Sequence, residues 1–383
     1  MSILLIIDGL VMEGDPSPGA YCHDLNRMAA VGHCGSVDFG PGSAFPEQGN
    51  VYSDILLGVD VWGVNKTLPL GFISAYGMGL DPDLSRTWAA LGLLHLFPKA
   101  NKLLFLSPYR VGLSSREKKQ LILGLQEEFN HQGWTVHWSD EWGAAVVSVD
   151  DDLDVVSSPL DVLEGQSFFD CLPQGSDANN LLSLVTTGQM LLAREPLNKE
   201  REKKRLLPLN TPWLWGVARG GDQMENMLSV AESGTLWSSD SVVAGLGRLA
   251  GFVSSFLDEK NGLDVSELKK ITQCGVDGNA VIHFKTPAML ARLGLLPERQ
   301  ARLEQIDKQF IAPLAKEMAG LGGKMVVVTP VALDKEGLPV VGSVPWVSAQ
   351  DRELTAKKRF WQRKAMGSGE PIEVKLFRSE WYS

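Results

Sequence analysis

The run Ile3-Leu4-Leu5-Ile6-Ile7, followed at once by Asp8-Gly9, constrains this chain most. Five apolar residues without alternation are too short for a free-standing helix. They suit a strand covered on both faces, as in a parallel sheet. The Asp-Gly pair then ends the strand in a turn and leaves one carboxylate at its tip. Similar short apolar runs recur at Lys102–Leu106, Ala144–Val149, Ala280–Phe284 and Lys324–Thr329. Between them lie stretches with helical periodicity: Asp24–Val31, Ser115–Gln132, Ala178–Leu192, Ser239–Ser255 and Pro297–Leu321. Ser114 or Ser115 can cap the second helix, with Glu117 in its first turn. Pro297 ahead of Glu298 is a good helix start. Strands alternating with helices predict an α/β protein with a mostly parallel sheet. The Gly/Pro-rich stretch Gly32–Asn50 is expected to be a loop.

The chain has 383 residues, long enough for one large and one smaller domain. Its net charge of −10 argues against general binding of a phosphate backbone. No apolar run reaches the roughly 18–20 residues of a membrane span. No Lys or Arg precedes the first strand, which argues against a signal peptide. The expectation is therefore a cytoplasmic protein without a membrane or nucleic-acid partner. Cys22, Cys34, Cys171 and Cys274 lack metal-type spacing and read as free thiols, although His23 and His33 flank the first two. Trp134, Trp138 and Trp142 recur every four residues, near helical period, yet Thr135–Trp138 also alternates like a strand. Packing is their default role. Asp150-Asp151-Asp152 could hint at metal but suits a solvated turn. The basic clusters Lys199–Arg205 and Lys357–Lys364 suit solvated helix faces, and the second could also grip an acidic partner or RNA.

Four segments in order carry a family likeness: IIDGL at Ile6–Leu10; Asp24–Gly42 with Gln48–Asp60; REPLNKEREKKRLLPLNTPWLWG at Arg194–Gly216; and VIHFKTPAMLARLG, LEQID, VVVTPVALD and GSVPW between Val281 and Trp346. Together they resemble the archaeal-type, cofactor-independent phosphoglycerate mutases of the alkaline phosphatase superfamily. The resemblance implies an alkaline-phosphatase-like three-layer α/β/α sandwich at residues 1–75 and 195–383. A smaller α/β domain would be inserted at 76–194.

It also implies a two-metal phosphoryl transfer, with ions such as Mn or Zn and a metal-activated serine. Asp8 matches the family's first metal carboxylate. The nucleophile position falls on Gly49, beside Asn50, with Ser53 as a possible substitute. The Asp-x-x-x-His ligands fall, through His283, on Ala288 and Arg292, and an Asp-His pair falls on Val331 and Ala332. Neither alanine can coordinate, and arginine stays protonated and repels cations. The expectation is a homologue with a vestigial metal site, no bound cofactor and no catalysis. It would act by binding an unknown protein partner or by self-association. Its binding candidates are Arg292, His283 and Asn50, and an Arg292 projecting into the old metal pocket would pair with Asp8. The alternative is a phosphoglycerate mutase or phosphohydrolase with an altered site, using His283, His23 or His33 as acid–base groups.

Overall fold

The computed structural model describes residues 2–10, 22, 33–37, 56, 68–221, 224, 234–261, 264–277, 279–318, 324–328 and 344–350. The chain forms two compact units: Met1–Lys66 with Val230–Ser383, and Thr67–Ser229.

The first unit is built on a seven-stranded sheet. Its strands are β1 (Ser2–Ile7), β2 (His33–Val37), β8 (Gly234–Ser238), β9 (Phe252–Phe256), β10 (Asn279–Phe284), β11 (Lys324–Val328) and β12 (Val344–Gln350), in spatial order β2-β12-β11-β1-β10-β8-β9. β11, β1, β10, β8 and β9 run parallel, while β12 is antiparallel to both its neighbours. Pairing puts Ile3 beside Ala280 and Met325, and Leu5 beside Ile282 and Val327.

That face is covered by α7 (Val265–Asp277), α9 (Leu296–Ile306) and α10 (Ala312–Met318) through Ile271, Leu303, Ile306, Leu314 and Met318. A π-helical turn, Asp307–Ile311, joins the last two helices and stacks Phe310 edge-on against Phe284 at 4.8 Å. On the opposite face α6 (Ser241–Leu249) lies against Leu236, so close that a Cβ on Gly247 would fall 2.9 Å from it. Helices on both faces of a largely parallel sheet make three layers. The unbroken apolar character of β1 follows directly.

The second unit has a different logic. Its five strands are β3 (Thr87–Lys99), β4 (Lys102–Leu106), β5 (Thr135–Ser139), β6 (Ala144–Val149) and β7 (Thr211–Arg219), and every pairing is antiparallel. One face of β3 (Ala89, Leu91, Leu93) packs under α2 (Ser115–Leu123), α3 (Gln126–His131) and α4 (Ala178–Arg194). The other face (Leu94, Leu96) packs with Phe105, Leu163 and Trp213. α1 (Leu70–Gly77) lies on β3 at Gly71, where a Cβ would come 2.5 Å from the Ala89 Cα.

Several expectations change. The stretch 115–132 breaks at Gly124–Leu125 into two helices, the first closed by a full Ser114–Glu117 capping box. The stretch 239–255 is not one helix: α6 stops at Leu249, Gly251 turns the chain at φ 86°, and β9 follows. Residues 33–37, expected in a loop, pair with β12. Asp24–Val31 lies outside the described residues. Residues 67–75 and 195–229 sit in the second unit, not the first, because β7 pairs with β3 and α1 packs on it.

Trp138 lies within strand β5, with Trp134 just before it and Trp142 just after, so their fourfold spacing is not helical. Cys22, Cys171 and Cys274 are free thiols. Asp150 and Asp152 pair with Arg86 and Arg219. No helix among the described residues is long and apolar enough to cross a membrane.

Candidate functional site

In a parallel sheet all strands point the same way, and the crevice beyond their carboxyl ends is the usual ligand position. In the first unit that end gathers Asp8 after β1, His283 in β10, Lys285 after it, Ser238 and Asp240 at the end of β8, and Glu259 after β9. Asp8, Ser238, His283 and Glu259 are each less than 5 % exposed.

His283 lies at the centre. Its Nε2 meets Asp8 Oδ2 at 3.0 Å and its Nδ1 meets Ser238 Oγ at 2.9 Å. The Ser238 hydroxyl donates to the Asp240 carbonyl at 3.3 Å and accepts from the Asp240 N–H at 2.9 Å. Its remaining lone pair therefore faces the imidazole, so both ring nitrogens are placed as donors. Burial opposes the charged ring, but the Asp8 carboxylate, helped by Asp240 and Glu259, holds the His283 pKa above the ordinary imidazole range.

A second pair lies alongside. Lys285 Nζ donates to Asp240 Oδ2 at 2.6 Å, while Asp240 Oδ1 caps α6 by accepting from the Val242 and Val243 amides. Burial would raise the Asp240 pKa. The Lys285 ammonium and these amides outweigh it and keep the carboxyl at about 2. Glu259 is likewise committed, accepting from the Lys285 and Thr286 amides and the Ser239 hydroxyl.

The Asp8–Leu10 turn is fixed from two sides. Buried Arg299 donates to the Gly9 and Leu10 carbonyls at 3.0 and 3.2 Å. Gly9, at φ +67°, rests on the first turn of α8 (Thr286–Arg292), and a Cβ there would fall 2.6 Å from the Ala288 Cα.

Of the residues singled out from sequence, the structure joins Asp8 to His283 and places Ala288 against the adjoining Gly9. Arg292 closes α8 and is half-buried. The buried ion pair on Asp8 is with His283 instead of the proposed Arg292. Gly49, Asn50, Ser53, Val331, Ala332 and His23 lie outside the described residues, as does the side chain of His33.

Sequence reasoning passed over Ser238, Asp240, Glu259, Lys285 and Arg299. The string Ser238-Ser239-Asp240 before a helix was a readable cap signal. The Lys285–Asp240 pairing, 45 residues apart, left no local trace. Among the described residues, no three or more His, Cys, Asp or Glu side chains are grouped to hold a metal ion.

No family model matches the sequence. The chain is 22% identical over 264 residues to a probable 2,3-bisphosphoglycerate-independent phosphoglycerate mutase of Geobacter sulfurreducens, covering 67% of this chain and 66% of that protein. It is 25% identical over 166 residues to the 2,3-bisphosphoglycerate-independent phosphoglycerate mutase of Methanothrix thermoacetophila, covering 42% of each. The likeness thus spans less than two thirds of the curated relatives' length. Among solved structures, the PH0037 protein of Pyrococcus horikoshii superimposes with a TM-score of 0.63 at 16% identity, over 99% of this chain and 96% of that one.

Proposed function

This alkaline-phosphatase-like chain is a distant relative of the 2,3-bisphosphoglycerate-independent phosphoglycerate mutases, and from that premise we propose that it is a non-catalytic homologue that works by binding. One observation carries the reading: among the described residues at the carboxyl ends of the sheet, His283, Asp240, Lys285 and Glu259 are engaged with neighbouring groups. Two divalent ions need several oxygen or nitrogen donors, with lone pairs turned toward the metal. Here His283 engages Asp8 and Ser238, Asp240 neutralises Lys285, and Glu259 takes three donors. Positions 288 and 292, where the family's ligands would fall, are an alanine and an arginine. Among the described residues the donors do not fit a two-metal centre.

Such a protein would serve as a scaffold or subunit, through an unidentified protein partner or by self-association. The other reading, an altered mutase or phosphohydrolase with His283 as acid–base group, asks a ring with 0% exposure to reach a substrate. The deciding experiment is a coupled phosphoglycerate mutase assay on the full chain with added manganese, zinc or cobalt, alongside metal analysis of the purified protein. The proposal expects no turnover and far less than one ion per chain. Chelator-sensitive turnover would end it.

A further inference from the structure

We propose that the second unit carries a docking surface for an acidic protein segment, formed where the β3–β4 hairpin meets the connection from α5 (Pro196–Lys203) to β7. In a chain of net charge −10 these two segments are stripped of acid: no Asp or Glu occurs from Leu84 to Arg116, or from Lys203 to Gly221. The fold sets them side by side. The Asn210 amide donates to the Leu94 carbonyl and its side chain bridges both backbone groups of Leu96, while His95 Nδ1 meets the Pro208 carbonyl at 2.7 Å.

Strand alternation puts Phe97 and Lys99 on the same side as His95, with Leu104 and Lys102 as their cross-strand partners. The Phe97 ring lies 6.5 Å from that of His95. Phe97, Leu206 and Leu207 are 41%, 45% and 38% exposed. On the same two segments Lys99, Lys102, Lys203, Lys204 and Arg205 are all exposed. None of these five is in an ion pair with a carboxylate among the described residues, although Asp140, Asp150 and Glu164 of the same unit each find a cation.

Exposed apolar side chains and exposed cations on two adjoining segments fit a partner that brings carboxylates around aliphatic or aromatic anchors. It suits a nucleic-acid backbone less, because phosphate contacts gain nothing from Phe97 or the two leucines. The surface lies wholly within the second unit, so it stands or falls independently of the site described above.

The test is fluorescence anisotropy on the full chain with a labelled short peptide alternating Glu or Asp with Leu and Phe. Its controls are the same peptide with lysines for the acids and a labelled oligouridine. The expected result is saturable binding of the acidic peptide alone, weakening as salt rises. Affinity should fall at least about tenfold in a Lys203→Glu/Lys204→Glu variant and about threefold in Phe97→Ser, with circular dichroism unchanged. Three results would overturn the proposal: no saturable binding, undiminished binding to the charge-reversed variant, or tighter binding of the oligouridine.

Discussion

Each unit holds a basic side chain against a carboxylate in its interior, and the two pairs are housed differently. In the second unit Arg201, 1% exposed, donates from Nε to the Leu207 carbonyl, from Nη2 to the Val111 carbonyl and from Nη1 to Glu117 at 2.7 Å. Its acid keeps a quarter of its side-chain surface in water and also caps α2. In the first unit His283 and Asp8 are both sealed, and the imidazole relies on partners from two other strand ends. An open-sided clamp can lose a member and let water in. A sealed pair cannot, because the survivor is left where solvent does not reach.

That contrast orders the expected effects. His283→Ala takes the imidazole away from the buried Asp8 carboxylate and should cost about 3–5 kcal/mol in urea denaturation; a double variant with Asp8→Asn should recover part of the loss. If the single variant costs under 1 kcal/mol, the sealed pair is not as described. Gly9→Ala forces an L residue to positive φ and drives its methyl into Ala288, for a loss of about 2–4 kcal/mol. Arg201→Met should cost about 2–3 kcal/mol through the two carbonyls left unmet. Glu117→Gln, at the wet end of the same clamp, should stay within about 1 kcal/mol.

A further effect is in the pH profile. Asp240 is held at about 2 when folded, below its ordinary value. Its contribution is therefore complete above the unfolded carboxylate pKa of about 4 and disappears as pH falls toward 2. The denaturation midpoint should fall across that window, and less steeply in Asp240→Asn.

The core of the first unit was open to reading because β1, β10 and β11 are short, uniformly apolar runs, a pattern that strands buried on both faces enforce. β3 escaped for a related reason. Trp88 to Phe97 is apolar on both faces, so no alternation marks it and its length alone resembles a helix. β9 was hidden because Phe252–Phe256 follows α6 with only a glycine turn between. The inserted unit was drawn too short because only pairing with β3 reveals where β7 belongs. Of the candidate site, Asp8 was legible from the Asp-Gly ending of its strand, and His283 through the family likeness. Lys285 and Asp240, or Arg299 and the Gly9 carbonyl, depend on contacts between distant segments, which one sequence does not encode locally.

In the second unit, Gly216 of β7 lies against Leu70 of α1, so near that a Cβ on the glycine would sit 2.6 Å from the leucine's Cβ. The first helix and the last strand of this unit thus touch, although the two residues are far apart in sequence. A gene fragment covering 67–229 is therefore a natural piece to clone and express by itself.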